Sequence, residues 1–457
     1  MSVTLATAVA ATNAPLFEGA AAPATLRVST DTRAIEPGDT FVALRGERFD
    51  GHDFAAEAVT RGAALLVLER AEARVPGTAA MIVGDTKLAY MALAAAARAA
   101  FAGRVLAVTG SAGKTTTKEF LAQLLRTQLG GRVLATTENE NNEIGVSKLL
   151  LQASSEAHDA IVVELGARRY GDVAALVDVA RPHVGILTNI GEAHVEIMGS
   201  RERLEETKWA LFSRGAHAVL NAGDAASRRR AATLAQPPQW FGAYEASSAV
   251  DDVQPLAALA GDKLVRREHG RSALYDVDVR LPGLHNRANL AAAIAGALAF
   301  GVPLERLLPE LGSVRLPPGR YDRIPVAGGV ELIYDAYNAN ASGMIAALDA
   351  FAAEAGGRRI AVLASMAELG DESSALHERV GAHAAAHVDV LLLRGDYAEE
   401  MALGAKRGGL SDDRIVFVST NAGAASWLRR HAEAKDVVLL KGSRKYRLEE
   451  IVEELRT

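Results

Sequence analysis

The sequence predicts an α/β protein of three domains in which most strands run parallel. Short apolar runs alternate with helical stretches along the 457 residues, as in parallel sheets that are covered by helices. A glycine-rich turn at residues 105–117 joins one such run to an amphipathic helix. The length agrees with three domains, because a domain usually holds about 100 to 200 residues.

Two segments set the expected domain boundaries. The helical run DTKLAYMALAAAARAAF ends at Gly103, and a Pro-Pro-Gly segment at 317–319 lies between two complete α/β patterns. Past this segment, five strand-like runs alternate with helices. We therefore expect a small N-terminal α/β domain at 1–100, a central phosphate-loop ATPase domain with a mostly parallel sheet at 101–316, and a C-terminal Rossmann-like parallel α/β domain at 317–457.

Composition excludes several functional classes. A net charge of −6 argues against a nucleic-acid partner, since such proteins carry a basic excess. The absence of cysteine excludes disulfides, thiolate nucleophiles and cysteine-bound metals, so oxygen and histidine ligands remain for any cation. The first basic residue is Arg27, unlike the charged start of a signal peptide, and no apolar run reaches the roughly 18 residues of a membrane span. We expect a cytoplasmic protein without membrane insertion.

The glycine-rich turn predicts a phosphate-binding loop. Gly110 and Gly113 allow backbone N–H groups to approach an anion, and the helix predicted from Thr116 to Leu129 presents its positive N-terminal end. Lys114 would reach the β- and γ-phosphates, while the hydroxyl of Thr115 would coordinate Mg²⁺. The spacing is the short G-x-x-G-K-T, because Val108 stands where the common G-x-x-x-x-G-K-[ST] pattern requires glycine. A glycine turn with an incidental lysine is the alternative interpretation.

Three further residues are candidates to act beside this loop. The buried strand-like run AIVVELG ends at Glu164, whose carboxylate would hold Mg²⁺ or its water, and a strand predicted at Val184–Asn189 leads to His194. Because ligands gather at the carboxyl ends of parallel strands, Glu164 and His194 would converge near Lys114. Lys208 lies among apolar neighbours in a predicted helix. A structural histidine and a lysine at the edge of a helix are the alternatives.

Polar residues in other loops are candidates for ligand binding. The loop of Asn139, Asn141 and Asn142 would either hold a polar ligand or form a turn. Asn286 and Asn289 lie at the start of a helix, where their amides would face a base or cap the helix. Other residues in loops are also candidates for ligand binding, and the alternative interpretation of each is a solvated loop or a scattered surface charge. They are Thr32, Arg33, Gly46–His52, Arg320, Asp335, Asn338, Lys441 and Arg444.

Motifs along nearly the whole chain resemble the Mur ligase family, the ATP-dependent amide-forming enzymes of peptidoglycan precursor synthesis. The runs NNEIGV, GAR, AHVE and YNAN favour the type that joins D-alanyl-D-alanine to a UDP-N-acetylmuramoyl-tripeptide. The short phosphate loop is the form that this family has. The other matching runs are STDTR, PGDTFVALRGERFDGHDF, TGSAGKTTTKE, ELGARRYGD, GSRERLEETK, GLHNRANLAAA, DAYNANAS, MAELGDESSALH and LLKGSRKY.

The resemblance implies a reaction and its participants. A substrate carboxylate would attack the γ-phosphorus of ATP to give an acyl phosphate, and an amine would then displace phosphate to form the amide. ATP and Mg²⁺ would be the cofactors, with UDP-N-acetylmuramoyl-tripeptide and D-alanyl-D-alanine as small-molecule substrates. The N-terminal domain would bind the uridine nucleotide, the central domain ATP and the C-terminal domain the incoming amine. We expect a monomer whose domains close over the site.

The same resemblance assigns roles to individual residues. Catalysis would involve Lys114, Glu164, His194 and Lys208. ATP would be bound by Gly110, Ser111, Ala112, Gly113, Lys114, Thr115, Thr116, Asn286, Asn289, Arg320 and Asp335. The substrates would contact Thr32, Arg33, Gly46, Asn142, Arg168, Asn338 and Asn340. The metal ligands would be Thr115, Glu164, His194 and Lys208, the last as a carbamate formed with CO₂.

The chain departs from the family pattern at three places. Ser147 and Ala341 stand where the family usually has proline, and Ala364-Ser365 replaces a Gly-Asp pair. Two alternatives therefore remain open: a Mur-type ligase that forms a different amide, and a non-catalytic nucleotide-binding relative. The third residue of the accepted tripeptide is also left open.

Overall fold

The computed structural model describes residues 3–456 with the exception of 18, 20–21, 47–48, 192–194 and 251. In these residues three sheets follow one another along the chain, with five, nine and six strands. Most neighbouring strands in them run parallel, which confirms the predicted fold class. Within the described part of the chain, no helix has both the length and the apolar character needed to cross a membrane.

The first sheet is short-stranded and buried on both faces. Its strands are β1 Leu16–Phe17, β2 Val28–Ser29, β3 Thr40–Val42, β4 Leu65–Leu68 and β5 Ala79–Ile82, and its helices are α1 Leu5–Thr12, α2 Ala55–Thr60 and α3 Thr86–Ala100. The strand order is β1-β5-β4-β3-β2, with β1 antiparallel at one edge. Alternate residues of β4 enter two different apolar clusters, which is why the strand is a continuous apolar run.

The second sheet carries the phosphate loop. Its strands are β6 Arg104–Thr109, β7 Val133–Ala135, β8 Ala160–Glu164, β9 Val184–Leu187, β10 His217–Asn221, β11 Gln239–Tyr244, β12 Leu256–Ala260, β13 Lys263–Glu268 and β14 Arg271–Asp276. The helices are α4 Lys114–Gln128, α5 Glu143–Leu151, α6 Asp172–Ala180, α7 Val195–Met198, α8 Arg201–Trp209, α9 Ala225–Arg230, α10 Gly283–Phe300 and α11 Leu304–Leu307. The order is β14-β13-β12-β11-β10-β9-β6-β8-β7, with β12, β13 and β14 joined antiparallel.

The position of β6 in this sheet determines where the site forms. β6 pairs in parallel with β8 on one side and β9 on the other, and Val108 lies opposite both Glu164 and Ile186. The chain therefore leaves all three strands at the same edge. In open parallel sheets, this edge of carboxyl ends is where ligands bind.

The third sheet is parallel except at one edge. Its strands are β15 Asp322–Pro325, β16 Glu331–Tyr334, β17 Arg359–Ala364, β18 Val390–Arg394, β19 Ile415–Phe417 and β20 Val437–Lys441, in the order β15-β16-β20-β17-β18-β19. The helices are α12 Ala341–Ala352, α13 Ser373–Ala385, α14 Ala398–Arg407, α15 Asn421–His431 and α16 Glu449–Arg456. The five predicted strand runs correspond to β16–β20. The antiparallel β15 was not predicted, because its sequence DRIP is partly exposed and lacks an apolar run.

Two element boundaries near the site differ from those predicted. Helix α4 begins at Lys114, two residues before the predicted Thr116, because Gly113 takes the left-handed conformation of the N-cap and the helix follows at once. Strand β9 ends at Leu187, two residues before the predicted Asn189. Asn189 instead accepts a hydrogen bond from the phosphate-loop backbone through its carbonyl oxygen.

The central and C-terminal domains meet where the start of α10 contacts α12. A Cβ atom at Gly283, whose φ is +71°, would lie only 2.7 Å from the Cβ of Ala350. Between the two domains the chain passes through Pro317, Pro318 and Gly319, and Gly319 has φ +74°. This segment connects two hydrophobic cores, and Leu316, which directly precedes it, packs against both of them.

We predict that the C-terminal domain moves as a rigid unit about residues 316–320 when ATP and the uridine nucleotide bind together. Small-angle X-ray scattering should then show a smaller radius of gyration with both ligands than with either one alone. Scattering profiles that are identical with and without the two ligands would contradict this prediction.

Candidate active site

The phosphate loop between β6 and α4 requires glycine at two positions for steric reasons. Gly110 and Gly113 have φ values of +151° and +79°. A Cβ atom at Gly110 would lie 1.9 Å from Oγ1 of Thr188, and one at Gly113 would lie 2.2 Å from Oδ1 of Asn289. Both distances are far below contact distance, so the loop backbone packs directly against the segment after β9 and against α10.

Residues after β9 hold the shape of the loop. The backbone N–H of Ser111 donates to the carbonyl oxygen of Asn189 at 3.0 Å, and the N–H of Ala112 donates to Oδ1 of the same asparagine at 3.0 Å. The hydroxyl of Thr188 donates to the carbonyl of Ala112 at 2.6 Å. Asn189 was not predicted as a site residue. It lies at the carboxyl end of a predicted strand, and that position is the one signal that indicated it.

Two lysines donate to the same carbonyl oxygen at the centre of the site. The Nζ atoms of Lys114 and Lys208 lie 2.9 and 3.0 Å from the carbonyl oxygen of Gly110. Burial lowers the pKa of Lys208 well below its ordinary value, and the charge of Lys114 lowers it further. Burial also lowers the pKa of Lys114, but the charge of Glu164 opposes that shift. The environment therefore favours a neutral amine at Lys208.

Glu164, at the end of β8, supplies a buried carboxylate with one free oxygen. The side chain is buried, and its Oε1 accepts a hydrogen bond from Nδ2 of Asn141 at 2.6 Å. Its Oε2 has no hydrogen-bond partner among the described residues. Burying a carboxylate oxygen costs folding free energy unless a cation or a water molecule binds to it. Together with the hydroxyl of Thr115, which lines the same cleft, it forms an oxygen donor set that fits Mg²⁺.

The start of α10 contributes two buried amides to the site. Nδ2 of Asn286 donates to the carbonyl of Pro282 at 3.0 Å, and Oδ1 of Asn289 lies 3.4 Å from the hydroxyl of Thr117. Each amide thus uses one of its polar atoms within the protein. Both residues line the cleft.

A cleft of about 790 Å³ joins these groups to the C-terminal domain. From that domain, the guanidinium of Arg320 stacks 4.3 Å from the ring centre of Tyr337, and Lys441 donates to Oδ2 of Asp335 at 2.8 Å. The charge of Arg320 also lowers the pKa of Lys114, so the two domains interact electrostatically. The predicted site residues that line the cleft are Ser111, Ala112, Gly113, Lys114, Thr115, Thr116, Glu164, Arg168, Asn286, Asn289, Arg320, Asp335, Asn338 and Asn340.

Predicted site residues in the N-terminal domain lie apart from this cleft. The hydroxyl of Thr32 donates to Oε1 of Glu57 at 3.3 Å, and Arg33 forms an exposed ion pair with Asp31 at 2.7 Å. The N–H of Gly46 donates to the carbonyl of residue 49. None of these three described residues lines the cleft.

Two predicted substrate contacts serve as helix caps, and one predicted ligand is not described. Oδ1 of Asn142 accepts the N–H of Gly145 at the start of α5, and Asn142 is not among the cleft residues of the described chain. Asn340 caps α12 in the same way. His194 belongs to residues 192–194, which lie outside the described residues.

The three departures from the family pattern have structural consequences. Ser147 is buried in α5, and its hydroxyl has no partner in the described residues. Ala341 is the first residue of α12, a position that suits proline but does not require it. Ser365 follows β17 and its hydroxyl accepts the N–H of Tyr397 at 2.9 Å, which ties it to the start of α14.

Three protein-family models match the chain in order. They are the Mur ligase family, catalytic domain at 27–101, the Mur ligase middle domain at 108–297, and the Mur ligase, glutamate ligase domain at 319–444. The UDP-N-acetylmuramoyl-tripeptide–D-alanyl-D-alanine ligase of Escherichia coli (strain K12) is 36% identical over 437 residues, which cover 94% of this chain and 93% of that protein. The chain belongs to the Mur ligase family.

Solved structures of Mur ligases share the architecture. MurF from Acinetobacter baumannii has a TM-score of 0.85 and 29% identity, with 100% of this chain and 99% of that chain covered. MurF from Thermotoga maritima in complex with ADP has a TM-score of 0.79 and 29% identity, with 94% and 97% covered. In this Mur ligase, the cleft lies between the segments that match the middle and the glutamate ligase domains.

We predict that Lys114→Ala abolishes ligation and leaves the fold intact, because Lys114 supplies charge to the cleft rather than packing to a core. The rate of ADP release should fall by more than about 100-fold, as when one preorganised electrostatic contact is removed. The exposed Lys406 in α14 pairs with Asp412, far along the chain from the cleft residues, so Lys406→Ala is a matched control that should keep full activity. More than a tenth of normal turnover in the Lys114 variant would show that the loop is wrongly assigned.

Proposed function

We propose that this Mur ligase uses ATP to join D-alanyl-D-alanine to a UDP-N-acetylmuramoyl-tripeptide, an amide-forming step of peptidoglycan precursor synthesis. The observation that carries the proposal is the cleft beside the phosphate loop, which Lys114 and Glu164 line, with the buried Lys208 donating to the same Gly110 carbonyl as Lys114. The E. coli relative is named for this same acceptor and amine. The ADP in the T. maritima MurF complex supports a nucleotide at the loop.

The reaction proceeds in two steps, formation of an acyl phosphate and then formation of the amide. A carboxylate oxygen of the tripeptide attacks the γ-phosphorus of ATP, ADP leaves, and an acyl phosphate forms. The amine of D-alanyl-D-alanine then attacks the acyl carbon, and phosphate leaves as the amide forms and the amine loses a proton. Both steps bring anionic groups together, so the protein contributes mainly by positioning them and by supplying positive charge.

Residues of the central domain supply that charge. Lys114 and the helix α4 N-terminus lie where the β- and γ-phosphates bind. When bound, Mg²⁺ neutralises phosphate charge, and Thr115 and Glu164 would hold it, with His194 as a further expected ligand. The fit rests on the free Oε2 of Glu164, an oxygen of the kind that this cation prefers.

Residues from two other regions position the remaining parts of the substrates. Asn286 and Asn289 lie at the start of α10 and contact the adenine through the polar atoms left free by their internal hydrogen bonds. Arg320 and Asp335 approach the ribose and phosphates from the C-terminal domain, and Arg168 faces the peptide. The uridine nucleotide binds the N-terminal surface of Thr32, Arg33 and Gly46, and Asn142, Asn338 and Asn340 contact the substrates.

Lys208 acts as a carbamate in this proposal. Its neutral amine attacks CO₂, a C–N bond forms and a proton leaves, which converts a buried base into an anion. The lowered pKa of Lys208 supports this reaction, because the protonated amine has no free electron pair. The carbamate also relieves the repulsion between two lysines that share the carbonyl of Gly110, and it offers oxygen ligands to Mg²⁺.

We predict that Lys208→Ala loses more than about 100-fold of its activity and regains part of it when acetate is added, since a small carboxylate replaces the carbamate oxygens. Lys114→Ala is the matched control and should gain nothing from acetate, because a cation is missing there. If acetate fails to restore Lys208→Ala while Lys208→Arg is active, a positive charge is sufficient and the carbamate is excluded.

We predict that ADP release from UDP-N-acetylmuramoyl-tripeptide and ATP depends on D-alanyl-D-alanine. Single amino acids should not replace the dipeptide, and omission of the tripeptide substrate should abolish ADP release. Release that responds to a different amine would identify a Mur-type ligase of another amide. Nucleotide binding without any turnover would instead identify a non-catalytic relative.

A further inference from the structure

A cluster of metal-binding side chains lies outside the ATP cleft, where α12 and α13 meet. Nε2 of His383 lies 2.6 Å from Oδ1 of Asp349, and Nε2 of His387 lies 3.5 Å from the same oxygen. The three ligand atoms all lie within 4.8 Å of one another. Neither the phosphate loop nor the proposed reaction uses these residues.

The spacing in sequence explains how the cluster forms. His383 lies in the last turn of α13, and His387 follows one turn later, where its N–H still bonds the carbonyl of Ala384. Two histidines four residues apart on a helical turn project from the same side, a spacing found in zinc sites. Helix α12 packs along α13 and supplies Asp349 from across the helix pair.

The distances are close to those that a metal ion requires. Two ligands of one tetrahedral Zn²⁺ lie about 3.3 Å apart, given metal–ligand bonds of about 2.0 Å. The distance from Nε2 of His387 to Oδ1 of Asp349 is already near this value, and the distance from Nε2 of His383 to the same oxygen is shorter. Small side-chain rotations therefore suffice to admit the ion. Two imidazoles with one carboxylate also form the donor set of zinc sites that keep an open position.

The electrostatic surroundings are compatible with a bound cation. Asp349 supplies one negative charge, and Arg359 supplies a positive charge that acts on His387. His383 and His387 are partly buried, with side-chain exposures of 30% and 23%, so the site is accessible from solvent.

We propose that Asp349, His383 and His387 bind a transition-metal dication of the Zn²⁺ type and leave a coordination position open to the cavity between the central and C-terminal domains. That cavity measures about 530 Å³ and is lined by Asp349 and His387, and by Gly283, His285 and Arg287 of α10. The hard oxygen ligands of the ATP cleft select Mg²⁺, whereas this imidazole set selects a softer cation. The metal therefore lies at the surface where the two domains meet.

The test uses untagged full-length protein that has been freed of metal by a chelator and then saturated with MgCl₂, so that oxygen-only sites are filled. Titration with CoCl₂, followed by visible absorption, should show one equivalent of bound Co²⁺ with the intense bands of a tetrahedral or five-coordinate site. ZnCl₂ should displace it, and isothermal titration calorimetry should give a stoichiometry of one.

Variants separate this site from other histidines. His383→Gln and His387→Gln should each weaken Co²⁺ binding by at least about tenfold, because changing even a residue that only supports a metal ligand lowers metal affinity by about that factor. His431→Gln removes an exposed histidine on α15 and should bind as the unchanged protein does. Circular dichroism verifies that the variants are folded. Absence of a one-to-one complex in the unchanged protein, or unchanged affinity in both folded variants, would overturn the proposal and leave a metal-free His–Asp ion pair.

Discussion

The central site depends on one constraint: two lysine side chains donate to the same carbonyl oxygen. The Nζ atoms of Lys114 and Lys208 share the Gly110 carbonyl, with Lys208 fully buried and Lys114 half-buried at the cleft. Two like charges at such a distance are unfavourable in a buried setting, so the pair is stable only if one amine is neutral or if anions lie nearby. Glu164 is the buried anion present, and phosphate groups or a carbamate would supply more. The same repulsion that costs stability makes the site receptive to an anionic ligand.

The fold meets this constraint by dividing the site among rigid elements. Strand β6 lies between β8 and β9, so the phosphate loop, Glu164 and Asn189 leave the sheet at one edge. Helix α10 closes the loop from one side, since Asn289 occupies the space that a side chain at position 113 would need. The C-terminal domain adds the Asp335–Lys441 ion pair to the cleft. Positioning on strand ends and helix starts suits phosphoryl transfer, which depends on geometry and charge.

Local patterns indicated much of the fold and part of the site. The continuous apolar run of β8 predicts a buried parallel strand and places Glu164 at its end, and the loop spacing predicts Lys114 as the phosphate-binding lysine of the loop. Strand β15 escaped prediction because DRIP has no apolar periodicity, and it joins the sheet as an antiparallel edge strand beside β16. Asn189 escaped prediction, and Asn141 was a candidate whose bond to Glu164 was not predicted, since asparagines are common in turns and these hydrogen bonds join residues 77 and 23 positions apart in the chain. The cluster of Asp349, His383 and His387 combines two helices, and the histidine spacing alone did not single it out.

The sequence by itself determined the α/β class, the phosphate loop and its glycines, because these depend on short-range backbone geometry and on apolar periodicity. It also determined the family, whose motifs extend along nearly the whole chain. Only the tertiary structure decided that Lys208 reaches the Gly110 carbonyl, that one oxygen of Glu164 stays without a partner, and that Arg320 acts on Lys114 from another domain. These are distances between residues far apart in the chain, and burial, which sets the lysine pKa values, exists only once the sheets and helices have packed.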